Sequence, residues 1–264
     1  MTTPVGQESS ISYGAYPYGY MNGLQIFNDA TTPNTLLDIG SGVTIDSTDT
    51  FQMINNGTIV INAATNGLNG LDTGTFAEGT VYAVYLVSDP VSLQPIGAMI
   101  SLSYTAPLMP FGYSAFRLIG FATTNASSAH FLPGYWTAGN SGSREFFYDA
   151  LQVTNITAGN ATSFATTPVN LISTVPNVNN TPVYISTLYT PNAASNYMSL
   201  QPANATGTAL SVIAQVAHVV VETQNYLVAQ QLSISSVISP AIRYLVSSSS
   251  DAVAIDVYGY KFYV

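Results

Sequence analysis

The sequence predicts an all-β protein: two antiparallel, jelly-roll-like β-sandwich domains behind an extended N-terminal arm. Three observations lead there. Short apolar runs recur between clusters of Gly, Pro, Asn and Ser, the punctuation of brief strands. Asn-Gly pairs at 22–23, 56–57, 66–67 and 69–70 supply the dipeptide that tolerates positive φ and favours tight turns between antiparallel strands. No heptad, collagen triplet or other internal period runs through the chain, so no fibrous shaft is expected.

Taken in order, residues 1–20 form the arm. The run from Tyr13 to Tyr20 spaces tyrosines with Gly and Pro, which favours neither helix nor ladder. A flexible terminus is one reading; the other is an arm that buries Tyr16, Tyr18 and Tyr20 on a neighbouring subunit. The first sandwich is expected over 21–149, with strands at 24–27, 36–40, 43–46 and 58–61. Val81–Val87 is apolar on both faces, so it needs cover on both sides. Either it is a central strand, or Tyr82, Val84 and Leu86 meet another subunit. A second apolar strand is expected over 98–103, and the stretch closes with Phe116–Phe121. Residues 123–143 read as a long loop. The stretch 154–167 has no net periodicity, which places a domain boundary near Asp149. The second sandwich, 150–264, is expected to hold strands at 183–189, 197–200, 232–238 and 254–264. Between 209 and 229 the residues Ala209, Val212, Ile213, Val216 and Ala217 fit helical spacing, whereas Val219-Val220-Val221 favours a strand, the preferred reading. Tyr258, Tyr260 and Phe262 alternate along the last strand, which puts all three on one face.

Composition narrows the function. Only 6% of residues are charged, against about 25% in ordinary soluble domains. The surface must therefore be made of hydroxyls, amides and tyrosine, which suits a chain held inside an assembly of its own copies. The net charge is -9 and the cations are Arg117, Arg144, Arg243 and Lys261, well separated. Phosphate binding needs clustered cations, so neither nucleic acid nor an anionic membrane is an expected partner. No signal-peptide pattern opens the chain and no apolar run is long enough for a membrane-spanning helix. Cysteine is absent, which removes thiolate chemistry.

No catalytic apparatus emerges, and no cofactor is expected. His130 lies in a Ser-rich loop and His218 in an apolar run, neither spaced with acids as in a triad or metal site. Asp72, Glu78, Asp89, Glu145 and Asp149 are carboxylates without a joining motif. Asp46-Ser47-Thr48-Asp49 could surround a calcium ion, but such clusters more often bond their own backbone in a turn. The binding candidates are His130, Phe131, Tyr135 and Trp136, as a platform on which a sugar could stack. Packing of the single tryptophan in the core is the competing reading.

At Gly70-Leu71-Asp72-Thr73-Gly74-Thr75 the chain resembles a β-rich module of tailed bacteriophages described as tail-fibre or fibre-like. The same order of features surrounds it: residues 21–31 and 37–42 before, then Ser103–Tyr113 and Arg117–Gly120 after, with Ile255–Tyr260 similar to the closing strand. The resemblance is good over 21–149 and weak beyond. It implies a structural protein of the virion, homotrimeric as such fibres usually are, attached to other virion proteins through its arm. It carries over no catalytic residue. A capsid decoration or head-fibre protein and a lectin-like module binding host surface glycan are the rival readings.

Overall fold

A computed structural model describes residues 19–91, 94–138, 142–149, 153–164, 169–178, 181–202, 214–217, 224–226, 232–234 and 241–263. Tyr16, Tyr18 and His218 lie outside them, as do residues 1–18, where the arm is expected.

Six short strands come first: β1 (Met21–Gly23), β2 (Ile26–Asn28), β3 (Leu36–Ile39), β4 (Gly42–Ile45), β5 (Gln52–Asn55) and β6 (Ile59–Asn62). They form two antiparallel sheets, ordered β1-β4-β5 and β2-β3-β6. The chain crosses between these sheets three times, at Leu24–Gln25, Gly40–Ser41 and Asn56–Thr58. The four Asn-Gly pairs are not hairpin turns. Asn22-Gly23 lies within β1, Asn56-Gly57 joins strands of different sheets, and the other two fall in the segment after β6.

The third sheet, β8-β7-β9, joins β7 (Val81–Ser88), β8 (Gly97–Ser101) and β9 (Ala115–Thr123). All eight residues of β7 are buried, because the strand lies between two partners and its faces are covered from within the chain. Phe76 packs beside Tyr82 and Phe116 meets Tyr85 edge-on. The fibre-like motif is pinned to this sheet. Ile100 N donates to Gly70 O, Asp72 N donates to Ile100 O, and Leu71 between them is buried. The Asp72 carboxylate then accepts from Ser101 Oγ at 2.6 Å and from Leu108 N at 2.9 Å. A side chain at Gly70 would strike Thr65 O, so the close approach requires glycine.

The largest sheet is ordered β10-β11-β20-β14-β17, formed by β10 (Gly134–Ala138), β11 (Ser143–Tyr148), β14 (Thr181–Thr190), β17 (Gln224–Tyr226) and β20 (Ala252–Tyr263). β12 (Val153–Gly159) also pairs with β20, and β18 (Leu232–Ile234) with β14. The fifth sheet, β13-β19-β15-β16, contains β13 (Val169–Asn170), β15 (Tyr197–Pro202), β16 (Ala214–Ala217) and β19 (Ala241–Val246). The chain is thus all-β in antiparallel sheets, with no helix among the described residues. In the ambiguous 209–229 stretch, the described parts are the strands β16 and β17.

Two expectations are corrected. The loop of 123–143 contains β10, whose Pro133-Gly134 start is tolerated because β10 is an edge strand. The aperiodic stretch after Asp149 contains β12. Strands from both sides of residue 149 share the β20 sheet, and Phe121 of β9 meets Phe262 of β20 edge-on at 5.0 Å. The boundary expected near Asp149 therefore falls inside a hydrogen-bonded sheet and a continuous core.

Arg144 ties these layers together. Its guanidinium donates to Ile119 O at 2.6 Å and to Gly23 O and Leu24 O at 3.0 Å, and it lies 5.5 Å from the Trp136 ring centre. No carboxylate among the described residues pairs with it. Desolvation pulls its pKa down to about 10, so the charge is retained at neutral pH and held by carbonyl oxygens.

Candidate binding surface

Along β10, successive side chains point to opposite faces, and this separates the residues expected to form one platform. Trp136 faces inward, buried against Phe146 and Tyr260. Phe131 is buried beside Phe76. His130 is exposed in the preceding loop. Of the four, Tyr135 alone is an exposed ring on the outer face, half accessible. The core reading of Trp136 is the one the packing follows, and the four-residue platform does not form.

The interface residues fare similarly. Tyr82, Val84 and Leu86 have no accessible surface in the single chain, so they have none left to give a partner. Tyr20 is half-buried, its carbonyl accepting from Thr44 Oγ1 and Ile45 N.

A different aromatic surface takes shape on the outer face of the β20 sheet. Tyr135 stacks on Phe147 across β10 and β11, with centroids 5.6 Å apart. Phe147 stacks in turn on Tyr184 of β14 at 5.2 Å and 15°. Tyr258 joins both, at 6.2 and 5.7 Å. Phe147 and Tyr184 stand on strands separated by β20, and both face Gly259 across the ladder. They can meet only because Gly259 has no side chain: a Cβ there would lie 2.4 Å from Phe146 O and 2.9 Å from Phe147 Cδ1.

A β-bulge builds the rest. Tyr184 faces Gly259 and Ile185 faces Val257, so Tyr258 is the extra residue. The slip turns Tyr258 outward while Tyr260 and Phe262 remain buried. The three aromatics therefore do not share a face, contrary to simple alternation. Polar groups border the rings. Tyr184 OH donates to Glu145 Oε1 at 2.8 Å, and Lys261 Nζ lies 3.7 Å from the same oxygen and 5.6 Å from the Tyr263 ring centre. This surface offers ring edges, hydroxyls and an acceptor carboxylate, the groups that hold an amphipathic partner by contact.

Elsewhere the acids serve the backbone. Asp46 accepts from the amides of Thr50 and Phe51 at 2.8 Å and from Thr48 Oγ1 at 2.6 Å. Burial raises its pKa, but these donors outweigh it and hold the carboxyl below its ordinary value. Asp251 accepts from Asn192 N, Asn196 Nδ2, Tyr189 OH and Ser248 N, with the same balance: burial raises, the donors lower, and the net is down. The Asp46–Asp49 cluster is thus a turn whose Asp46 carboxylate is already engaged by its own backbone, while Asp49 Oδ1 accepts from Gly19 N and lies 3.5 Å from Arg117. No group of three His, Cys, Asp or Glu that could hold a metal occurs among the described residues.

Sequence reasoning missed Phe147, Tyr184 and the role of Tyr258, because stacking across Gly259 depends on a register that only the folded ladder sets. A usable signal was present: Tyr258-Gly259-Tyr260 places a glycine inside an aromatic strand, the mark of a bulge or close approach. Comparison of the chain with protein-family models, with curated proteins and with solved structures finds no match in any of the three.

Proposed function

We propose that this chain is a non-enzymatic structural protein of a bacteriophage virion, of the tail-fibre or spike type, which assembles as a homotrimer and contacts other virion proteins through its N-terminal arm. The observation that carries the reading is the surface. With 6% charged residues, the chain exposes Phe111 completely and Val91, Leu102 and Leu108 largely, in addition to the outer ring stack of the β20 sheet. Side chains of this kind on a monomer invite association, and in an assembly they are the contacts. The resemblance around Gly70–Thr75 supplies the kind of assembly, and jelly-roll-like sandwiches are the architecture it implies. Native mass spectrometry of the purified chain tests the proposal: a trimer is expected, and a stable soluble monomer overturns it. Electron microscopy of labelled particles then separates a tail fibre from a head-fibre or capsid decoration protein.

Tyr135 favours a second reading, a lectin-like module that takes host surface glycan. It ends the ring stack on an edge strand and is half exposed, the geometry in which one ring face is open to a sugar. Loss of adsorption to host cells by Tyr135→Ala, with assembly intact, is the outcome expected on this reading; unchanged adsorption removes it.

A further inference from the structure

The four Asn-Gly pairs do not make hairpins, and their surroundings differ in a way that has chemical consequences. An Asn-Gly peptide can modify itself. The glycine amide nitrogen, after losing its proton, attacks the asparagine Cγ; a C–N bond closes a succinimide ring and ammonia leaves. Water then opens the ring at one carbonyl or the other, giving aspartate or isoaspartate. The reaction needs only water, a glycine amide free to attack, and a side chain free to turn towards it.

Three of the pairs are restrained. Gly67 N donates to Leu71 O at 2.6 Å, and Asn66 Nδ2 donates to Gly74 O. Gly70 N donates to Gly67 O at 3.0 Å, while Asn69 Oδ1 accepts from Ala98 N at 3.0 Å and Gly70 is hemmed in by Thr65. Asn22 and Gly23 are exposed, but their backbone is fixed by the β1–β4 ladder and Gly23 O is held by Arg144. Asn56-Gly57 is different. Asn56, Gly57 and Thr58 are all exposed, and open space surrounds the Gly57 Cα. Gly57 N donates to no backbone carbonyl among the described residues and makes one long hydrogen bond, 3.3 Å, to Asn55 Oδ1, and the Asn56 side chain has no hydrogen-bond partner among the described residues.

We propose that Asn56 is a site of spontaneous modification, converted to aspartate and isoaspartate in the folded protein while Asn22, Asn66 and Asn69 are protected. Its position gives the change a structural effect. The buried Asn55 side-chain amide donates to Gly40 O at 2.9 Å and to Gly57 O at 2.7 Å, so it clamps together two of the three places where the chain crosses between the β1-β4-β5 and β2-β3-β6 sheets. Isoaspartate at 56 inserts a methylene into one crossing and a carboxylate beside it, and the clamp to Gly57 loosens. Asn56 is in this sense a timer set into the junction of two sheets.

The test is to age the purified chain in mildly alkaline buffer and follow the amide-to-acid mass gain by peptide mapping, with isoaspartate detected by enzymatic methylation. Asn56 is expected to convert about tenfold faster than Asn66 and Asn69, the factor that one backbone hydrogen bond on the glycine amide, broken before reaction, supplies, and faster than Asn22, whose strand must first leave its ladder. In denaturant all four are expected to convert at similar rates, which shows that the fold makes the difference. Gly57→Ala, which meets nothing within 4 Å, should suppress the conversion without disturbing the fold. Equal rates at the four sites in the folded chain, or a lead at Asn22, Asn66 or Asn69, overturn the proposal.

Discussion

On the inner face of the β20 sheet, Trp136, Phe146, Tyr148 and Tyr260 meet at 34° to 90°. On the outer face, Tyr135, Phe147, Tyr184 and Tyr258 lie within 15° to 30° of parallel. Both sets draw on β10, β11 and β20, with Trp136 particular to the inner face and Tyr184 of β14 to the outer. The inner rings fill a volume, and edge-to-face contact lets rings from several layers interlock without voids. The outer rings stand in a row as cross-strand neighbours, supported below and open above. One set holds the fold together; the other is an ordered surface that the fold can spare.

That contrast can be broken at several points. Tyr260→Ala empties a fully buried site and is expected to cost about 3–5 kcal/mol in urea unfolding, as large buried aromatics do. Arg144→Met leaves the carbonyls of Gly23, Leu24 and Ile119 without their donor, for a loss of about 2–4 kcal/mol by the same measurement. Gly259→Ala forces a methyl between the two faces. Because its nearest contact is the backbone oxygen of Phe146, it is expected to cost about 1–3 kcal/mol and to separate Phe147 from Tyr184, read as a change in near-ultraviolet circular dichroism. Acid sharpens the comparison at the inner end, where Tyr189 OH reaches Asp251. The folded-state pKa of Asp251 is lowered, so its contribution is full above the unfolded value near 4 and is lost as pH falls through the lower folded value. Asp251→Asn should therefore flatten the acid limb of a stability profile. Tyr258→Ala is expected to be mildest, about 1 kcal/mol or less, with its larger effect on dissociation of the proposed oligomer.

Much of this fold is legible in the sequence because apolar runs report burial directly. Val81–Val87 reads as doubly covered and is; the runs 36–40, 43–46, 183–189 and 197–200 coincide with β3, β4, β14 and β15. What escapes is register. Gly134-Tyr135-Trp136 reads as loop because glycine and proline punctuate it, yet the partner β11 makes it a strand. Tyr258 reads as a neighbour of Tyr260 because alternation has no knowledge of a bulge opposite Tyr184. Side chains that meet across Gly259 come from positions 147 and 184, and no local pattern links them. The candidate surface was thus visible at Tyr135 alone.

The placement of β20 also bears on how the chain is made. β11, β12 and β14, the strands it joins, all precede it in the sequence. On the ribosome they must wait with open edges, and Phe121 with an uncovered ring face, until residues 252–263 have left the exit tunnel. Long-range closure of this sort is slow, and waiting edges pair readily with those of other chains. A nascent chain of this protein is therefore most prone to aggregate just before its sheet is completed, and holding chaperones should bind it at that stage.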